Sequence, residues 1–141
     1  MNKYFYILSW IGILSAIGLL LLTGYWLMYP YKPVVYNNLP QKVNKQVYKV
    51  GETLELEVDF CRYSPIVPEI KRSFVDGVIY NLHSTVSPTD EVGCFVRQVG
   101  ITVPQTLNPG IYHITTNFRY RVNPIRVIEI MVESEHFEVT R

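Results

Sequence analysis

Reactive motifs are missing from this chain of 141 residues. It has no Gly-x-Ser-x-Gly elbow, no His-Glu-x-x-His pair, no phosphate-cradling glycine loop and no acidic calcium loop. Those gaps take away the usual serine hydrolases, zinc peptidases, nucleotide hydrolases and calcium switches. His83, His113 and His136 stand apart in the sequence and read as surface or packing residues rather than ligands. A copper-carrying sandwich would need a cysteine followed closely by histidine and methionine, whereas Cys94 is followed by Phe95-Val96-Arg97-Gln98. Asp59, Asp76 and Asp90 read as a solvated face, a turn and a loop. No enzyme, cofactor or metal site is therefore expected. An excess of charge is missing too. Setting aside Lys3, the 13 Lys/Arg become 12 from Lys32 onward and meet 12 Asp/Glu, so a nucleic-acid partner, which needs a basic field, is not expected. Internal repeats and low-complexity tracts are also lacking.

What is present begins with an uninterrupted apolar run. No charged side chain occurs between Tyr4 and Tyr31. A helix rises about 1.5 Å per residue, so about 20 of these residues cross a hydrocarbon core of about 30 Å. Tyr4, Tyr6 and Trp10 flank one end, and Tyr25, Trp26, Tyr29 and Tyr31 flank the other. Such rings settle at headgroup level, so the lipid bilayer is the first expected partner. The run exceeds the ~7–15 residues of a cleaved signal's apolar region, and Tyr25-Trp26-Leu27-Met28 stands where a small-x-small cleavage site would be. An uncleaved signal-anchor is the expectation. Lys32, Lys42, Lys45 and Lys49 follow the span and only Lys3 precedes it, yet long domains translocate largely regardless of charge. The expected topology is N-terminus cytoplasmic and C-terminal domain extracytoplasmic. Gly12 and Ala16 form one small-xxx-small spacing that would let two helices approach, which leaves a homo-oligomer open.

Residues 1–31 are thus assigned to the tail and helix. Residues 32–41 are assigned to a semi-extended linker rich in proline and tyrosine, and residues 42–141 to a folded domain. In that domain the period becomes two. Leu54, Leu56, Val58 and Phe60 alternate with Glu55, Glu57, Asp59 and Cys61, as on a strand with one face buried. Phe74-Val75-Asp76-Gly77-Val78-Ile79 reads as a hairpin, because Asp-Gly supplies the positive φ a tight turn demands. Val99, Ile101 and Val103 share one face of another strand. Tyr112, Ile114, Thr116, Phe118, Tyr120 and Val122 share one face of a long strand opening at Pro109-Gly110. Asn123-Pro124 turns the chain into Arg126–Glu133. Phe137 and Val139 are out of parity with Ile128, Ile130 and Val132, which predicts a bulge near Ser134–His136. About seven short strands at roughly ten-residue spacing predict an all-β sandwich.

Val50-Gly51-Glu52 running into an alternating strand resembles the first hairpin of bacterial and viral immunoglobulin-like domains. Leu107-Asn108-Pro109-Gly110-Ile111-Tyr112 resembles the lead into their penultimate strand, and Ser134-Glu135-His136-Phe137-Glu138-Val139 resembles their closing strand. The likeness runs from about Tyr36 to the C-terminus. There is a fainter similarity to short membrane-anchored proteins encoded by phages and environmental bacteria. Neither likeness brings functional residues, and the fold is compatible with unrelated activities.

The immunoglobulin-like arrangement does imply two things. It makes the second and fifth strands antiparallel neighbours, so Cys61 at the end of one would meet Cys94 at the start of the other. The pair would form an outer-face disulfide, as an oxidising compartment favours. It also puts the tether beside Arg62-Tyr63-Ser64-Pro65-Ile66, Ser87-Pro88-Thr89 and Arg121-Val122-Asn123-Pro124-Ile125-Arg126. Arg62, Tyr63, Ile66, Arg121, Asn123, Ile125 and Arg126 are then candidate binding residues facing the membrane or a membrane-embedded partner. The expected function is a membrane-tethered, non-catalytic binding or assembly module with another membrane or extracytoplasmic protein as partner. The alternatives are an accessory subunit of a larger membrane complex or virion membrane and, less well supported, an extracytoplasmic enzyme.

Overall fold

The computed structural model describes residues 3–29, 32–87 and 89–141. It opens with helix α1 (Lys3–Met28), 26 residues and about 39 Å long, with no buried residue. Among the described residues this is the one helix long and apolar enough to cross a membrane by length and composition.

Eleven strand segments follow: β1 (Val34–Tyr36), β2 (Lys42–Val43), β3 (Val47–Lys49), β4 (Thr53–Arg62), β5 (Glu69–Val75), β6 (Ile79–Asn81), β7 (Thr85–Val86), β8 (Gly93–Thr102), β9 (Gly110–Asn123), β10 (Arg126–Glu133) and β11 (Phe137–Thr140). They form two sheets, and an all-β sandwich with one N-terminal helix is the architecture of this chain. In the first sheet β1 and β2 lie along one side of β4 and β8 along the other. In the second, β3 pairs β11 in parallel, β10 and β11 share one side of β9, and β5 takes the other side, with β6 and β7 beyond it.

Period-two patterning decides which side chains meet between the sheets. Leu54, Leu56, Val58 and Phe60 from β4 face Tyr112, Ile114, Phe118 and Tyr120 from β9, all buried. Tyr48 is fully buried, its ring edge-on to Phe137 at 5.4 Å. Its hydroxyl accepts the Lys45 N–H and donates to Asn44. A buried phenol needs such partners for its polar end. At the hairpin, Val75 pairs Ile79 and Gly77 takes a φ of 83°. The parity change near residue 134 separates β10 from β11. Ser134 fills the break, giving its N–H to the Ile114 carbonyl and accepting the Ile114 N–H at its hydroxyl, both within 2.9 Å.

The linker expected over residues 32–41 is corrected. Residues 34–36 are the strand β1, paired with Phe60–Arg62 of β4, and Val34 and Gln41 are buried. The prolines limit this stretch to short pairings without keeping it out of the sheet. Val34 and Tyr36 add apolar surface to the core, which a solvated spacer would forgo.

Candidate functional site

The end of the sandwich nearest α1 gathers most of the expected working residues. The Tyr63 N–H bonds the Pro33 carbonyl at 2.9 Å, holding the start of the domain against the loop after β4. The β9–β10 turn reaches α1 itself. Asn123 Nδ2 donates to the carbonyls of Trp26 and Tyr29, the latter at 3.2 Å, and Arg126 donates to the Leu27 carbonyl at 2.8 Å. The last carbonyls of a helix have no partner within the helix, and a cation there also complements the helix dipole. Asn123 and Arg126 were expected to bind a headgroup or partner; in the structure they cap α1. Asn123 also accepts the Ile125 N–H at 3.2 Å, which shapes the turn.

Of the remaining candidates, Tyr63, Arg121 and Ile125 are exposed, while Ile66 is half-buried and packs on the core. Tyr4, Tyr6, Trp10, Tyr25 and Tyr29 are exposed along α1, with Tyr25 and Tyr29 stacked at 5.3 Å, and Trp26 is partly covered. Tyr31 and Pro88 lie outside the described residues. Cys61 and Cys94 are register partners across β4 and β8, their Cα atoms 4.0 Å apart, and they are disulfide-bonded. Cys94 is exposed and Cys61 half-buried, so the bridge lies on the outer face of one sheet.

Arg62 requires the largest correction. It is only 3 % exposed, because β4 runs to its end without changing parity and Arg62 follows Phe60 on the inward face. Its guanidinium donates to the Thr89 carbonyl and, at 3.3 Å, to Ser87 Oγ, and it lies 5.6 Å from the centre of the Phe60 ring. It therefore fastens the loop before β8 instead of facing the membrane.

Inward arginines recur beside it. Arg72 lies between Ile70 and Phe74 on β5, and Arg97 between Phe95 and Val99 on β8. Together they border a cleft of about 440 Å³ that opens between β4 and β8 of one sheet and β5 and β7 of the other. Tyr36 and Tyr120 stand in the same cleft, their hydroxyls 3.0 Å apart. Burial first, and then each other's proximity, raises the Tyr36 phenol well above its ordinary pKa; burial likewise raises Tyr120. Burial lowers the pKa of the Arg72 guanidinium. None of Arg72, Arg97, Tyr36 and Tyr120 was expected to be functional. The signal was legible as parity: an arginine falls at the inward position of three strands, where an apolar residue belongs.

His113 and His136, expected to be isolated, have ring centroids 5.1 Å apart, because β11 pairs β9 with Phe137 opposite Tyr112, which brings the residues beside that pair together. Among the described residues no three His, Cys, Asp or Glu side chains come together as a metal site.

No family model matches the chain, and no curated protein does. Solved structures resemble its fold. Spo0M, a sporulation control protein from Bacillus subtilis, matches over 78 % of this chain and 50 % of its own, with 13 % identity and a TM-score of 0.45. The chain thus spans half the length of Spo0M. The CARDB domain of the PF1109 protein from Pyrococcus furiosus, solved in complex with di-metal ions, matches over 74 % of this chain and 90 % of its own, with 16 % identity and a TM-score of 0.39.

Proposed function

We propose that this chain is a non-catalytic, membrane-anchored binding or assembly module. In this reading α1 is an uncleaved signal-anchor with a cytoplasmic N-terminus, and the sandwich works on the extracytoplasmic side. The observation that carries it is the junction between the two parts. An apolar helix with no buried residue ends in carbonyls capped by Asn123 and Arg126 of the sandwich. A helix end tied in this way holds the domain close to the bilayer in a set orientation, with Tyr63, Arg121 and Ile125 beside the headgroups or beside a membrane-embedded partner. The disulfide Cys61–Cys94 agrees with an oxidising compartment. The partner surface best suited to assembly is β8: ten residues long, it pairs only β4 among the described residues, so its other edge can accept a strand.

Two measurements test the reading. With both native cysteines replaced, Thr140→Cys should react with an impermeant maleimide on intact cells and Asn2→Cys should not; the reverse pattern sinks the topology. A photo-cross-linking residue placed at Val96 on β8 should give one discrete adduct in native membranes, whereas one at Glu129 on β10 should not. Equal adducts from both positions would count against β8 as the assembly edge.

A further inference from the structure

We propose that the cleft between the sheets is a binding site for a small amphipathic anion: a carboxylate or phosphate head on an apolar chain. The inference rests on the lining of the cleft and does not depend on which side of the membrane the domain occupies.

Charge is the first reason. Arginine is almost never buried unless it is paired, because an uncompensated charge loses its hydration. Arg62, buried, and Arg72, half-buried, stand on core-facing positions of opposite sheets, and neither has a carboxylate within ion-pair distance among the described residues. Arg62 meets only neutral oxygens, from Thr89 and Ser87, and its buried Nε has no hydrogen-bond partner. Arg72 meets only the Thr85 hydroxyl, at 3.4 Å. Arg97, nearer the mouth, is paired with Glu91 at 3.6 Å. Both unpaired guanidiniums act electrostatically on the Tyr36 hydroxyl, so their fields converge on one point. An anion placed there would supply the missing counter-charge, and guanidinium matches carboxylate or phosphate oxygens with paired N–H donors.

The tyrosines add a directed donor. Of the two hydroxyl protons on Tyr36 and Tyr120, one is used between them and the other remains free for an acceptor. Their raised pKa values keep both phenols protonated, hence donors, throughout the physiological range.

The walls explain the chain. Val58, Phe60, Ile70, Val99 and Phe118 line the same space, and its volume of about 440 Å³ falls within the roughly 300–1,000 Å³ of small-molecule sites. An inorganic anion would leave most of this apolar wall uncovered. An uncharged lipid would leave the arginines unpaired. A single-headed acyl anion satisfies both, and a domain tethered at a bilayer is well placed to meet one.

The test uses the full chain in zwitterionic nanodiscs and follows the fluorescence of 11-(dansylamino)undecanoic acid, with empty nanodiscs subtracted. Saturable enhancement is expected. Dodecanoate and dodecyl phosphate should both displace the probe, and their relative strength identifies the head as carboxylate or phosphate. Dodecanol and dodecyltrimethylammonium should displace it at least tenfold more weakly. Arg72→Gln should weaken binding at least tenfold, whereas Lys71→Gln, the outward-facing neighbour on the same strand, should leave it within twofold. Arg72 is the informative position because Arg62→Gln also releases the loop before β8. The proposal is overturned by no saturable signal, by unchanged binding in Arg72→Gln, or by dodecanol competing as well as dodecanoate. It is also overturned if an extended acidic peptide outcompetes both acyl anions, which would make the cleft a strand-binding groove. If the wild type binds nothing and Arg72→Gln self-associates, the inward arginines are guards against edge-to-edge pairing.

Discussion

Replacing Cys61 and Cys94 together by alanine isolates the contribution of the covalent link. The two residues face each other across β4 and β8, and the chain between them leaves the first sheet, forms β5, β6 and β7 in the second, and returns. The bond closes a loop with a sequence separation of 33 residues. In the chain-entropy treatment a loop of that size removes about 12–13 cal/mol/K from the unfolded chain, or roughly 3.7 kcal/mol at 25 °C. Residual structure in the unfolded chain lowers this, so a loss of about 2–4 kcal/mol is expected. Truncation itself adds little, since the bridge lies on the outer face with Cys94 exposed. For a domain of this size the loss corresponds to a Tm lower by roughly 10–20 °C. Urea unfolding of the full chain in micelles should be followed by circular dichroism of the sheet. Trp10 and Trp26 both lie in α1, so tryptophan emission would report mainly on the helix. A lower midpoint that returns when the wild type is compared after reduction supports the reasoning. A change below about 0.5 kcal/mol, with the wild type shown to be oxidised, would refute it.

Three further outcomes are expected. Phe137→Ala should cost about 3–5 kcal/mol in the same urea assay, because its buried ring sits edge-on to Tyr48 and Phe74. Gly77→Ala should cost roughly 1 kcal/mol although a Cβ there meets nothing within 4 Å, since the loss comes from a φ of 83°; Gly77→Asn, measured beside it, should cost less. Burial of the Tyr112 ring, helped by Asp76, pushes its phenol up to about 12, above the ordinary value of 10.0. The neutral form is therefore favoured by folding: the contribution is complete below about pH 10 and is lost as pH rises through 12. Urea midpoints should be level from pH 7 to 9 and fall between 10 and 12. A fall confined to acid pH would contradict that sign.

Much of this protein was decided by local pattern. An uncharged apolar run with aromatics at its ends makes the exposed helix Lys3–Met28, because length and hydropathy are properties of the run itself. Strict alternation fixes which face of β4 and β9 is buried, and a change of parity at Ser134 fixes the break between β10 and β11, because side chains on a strand alternate by geometry. The Asp-Gly turn is equally local. The rest needed the tertiary structure. Whether residues 34–36 were linker or strand depended on β4 offering a free edge beside them. Whether Arg62 was loop or core depended on β4 continuing one pair past Cys61, against Gly93. Asn123 and Arg126 became helix caps only because the β9–β10 turn meets the end of α1, 94 to 99 residues away in sequence. The cleft was least legible of all. Each inward arginine looks like an isolated exception on its own strand, and only the packing of one sheet on the other brings Arg62, Arg72, Tyr36 and Tyr120 around a single space.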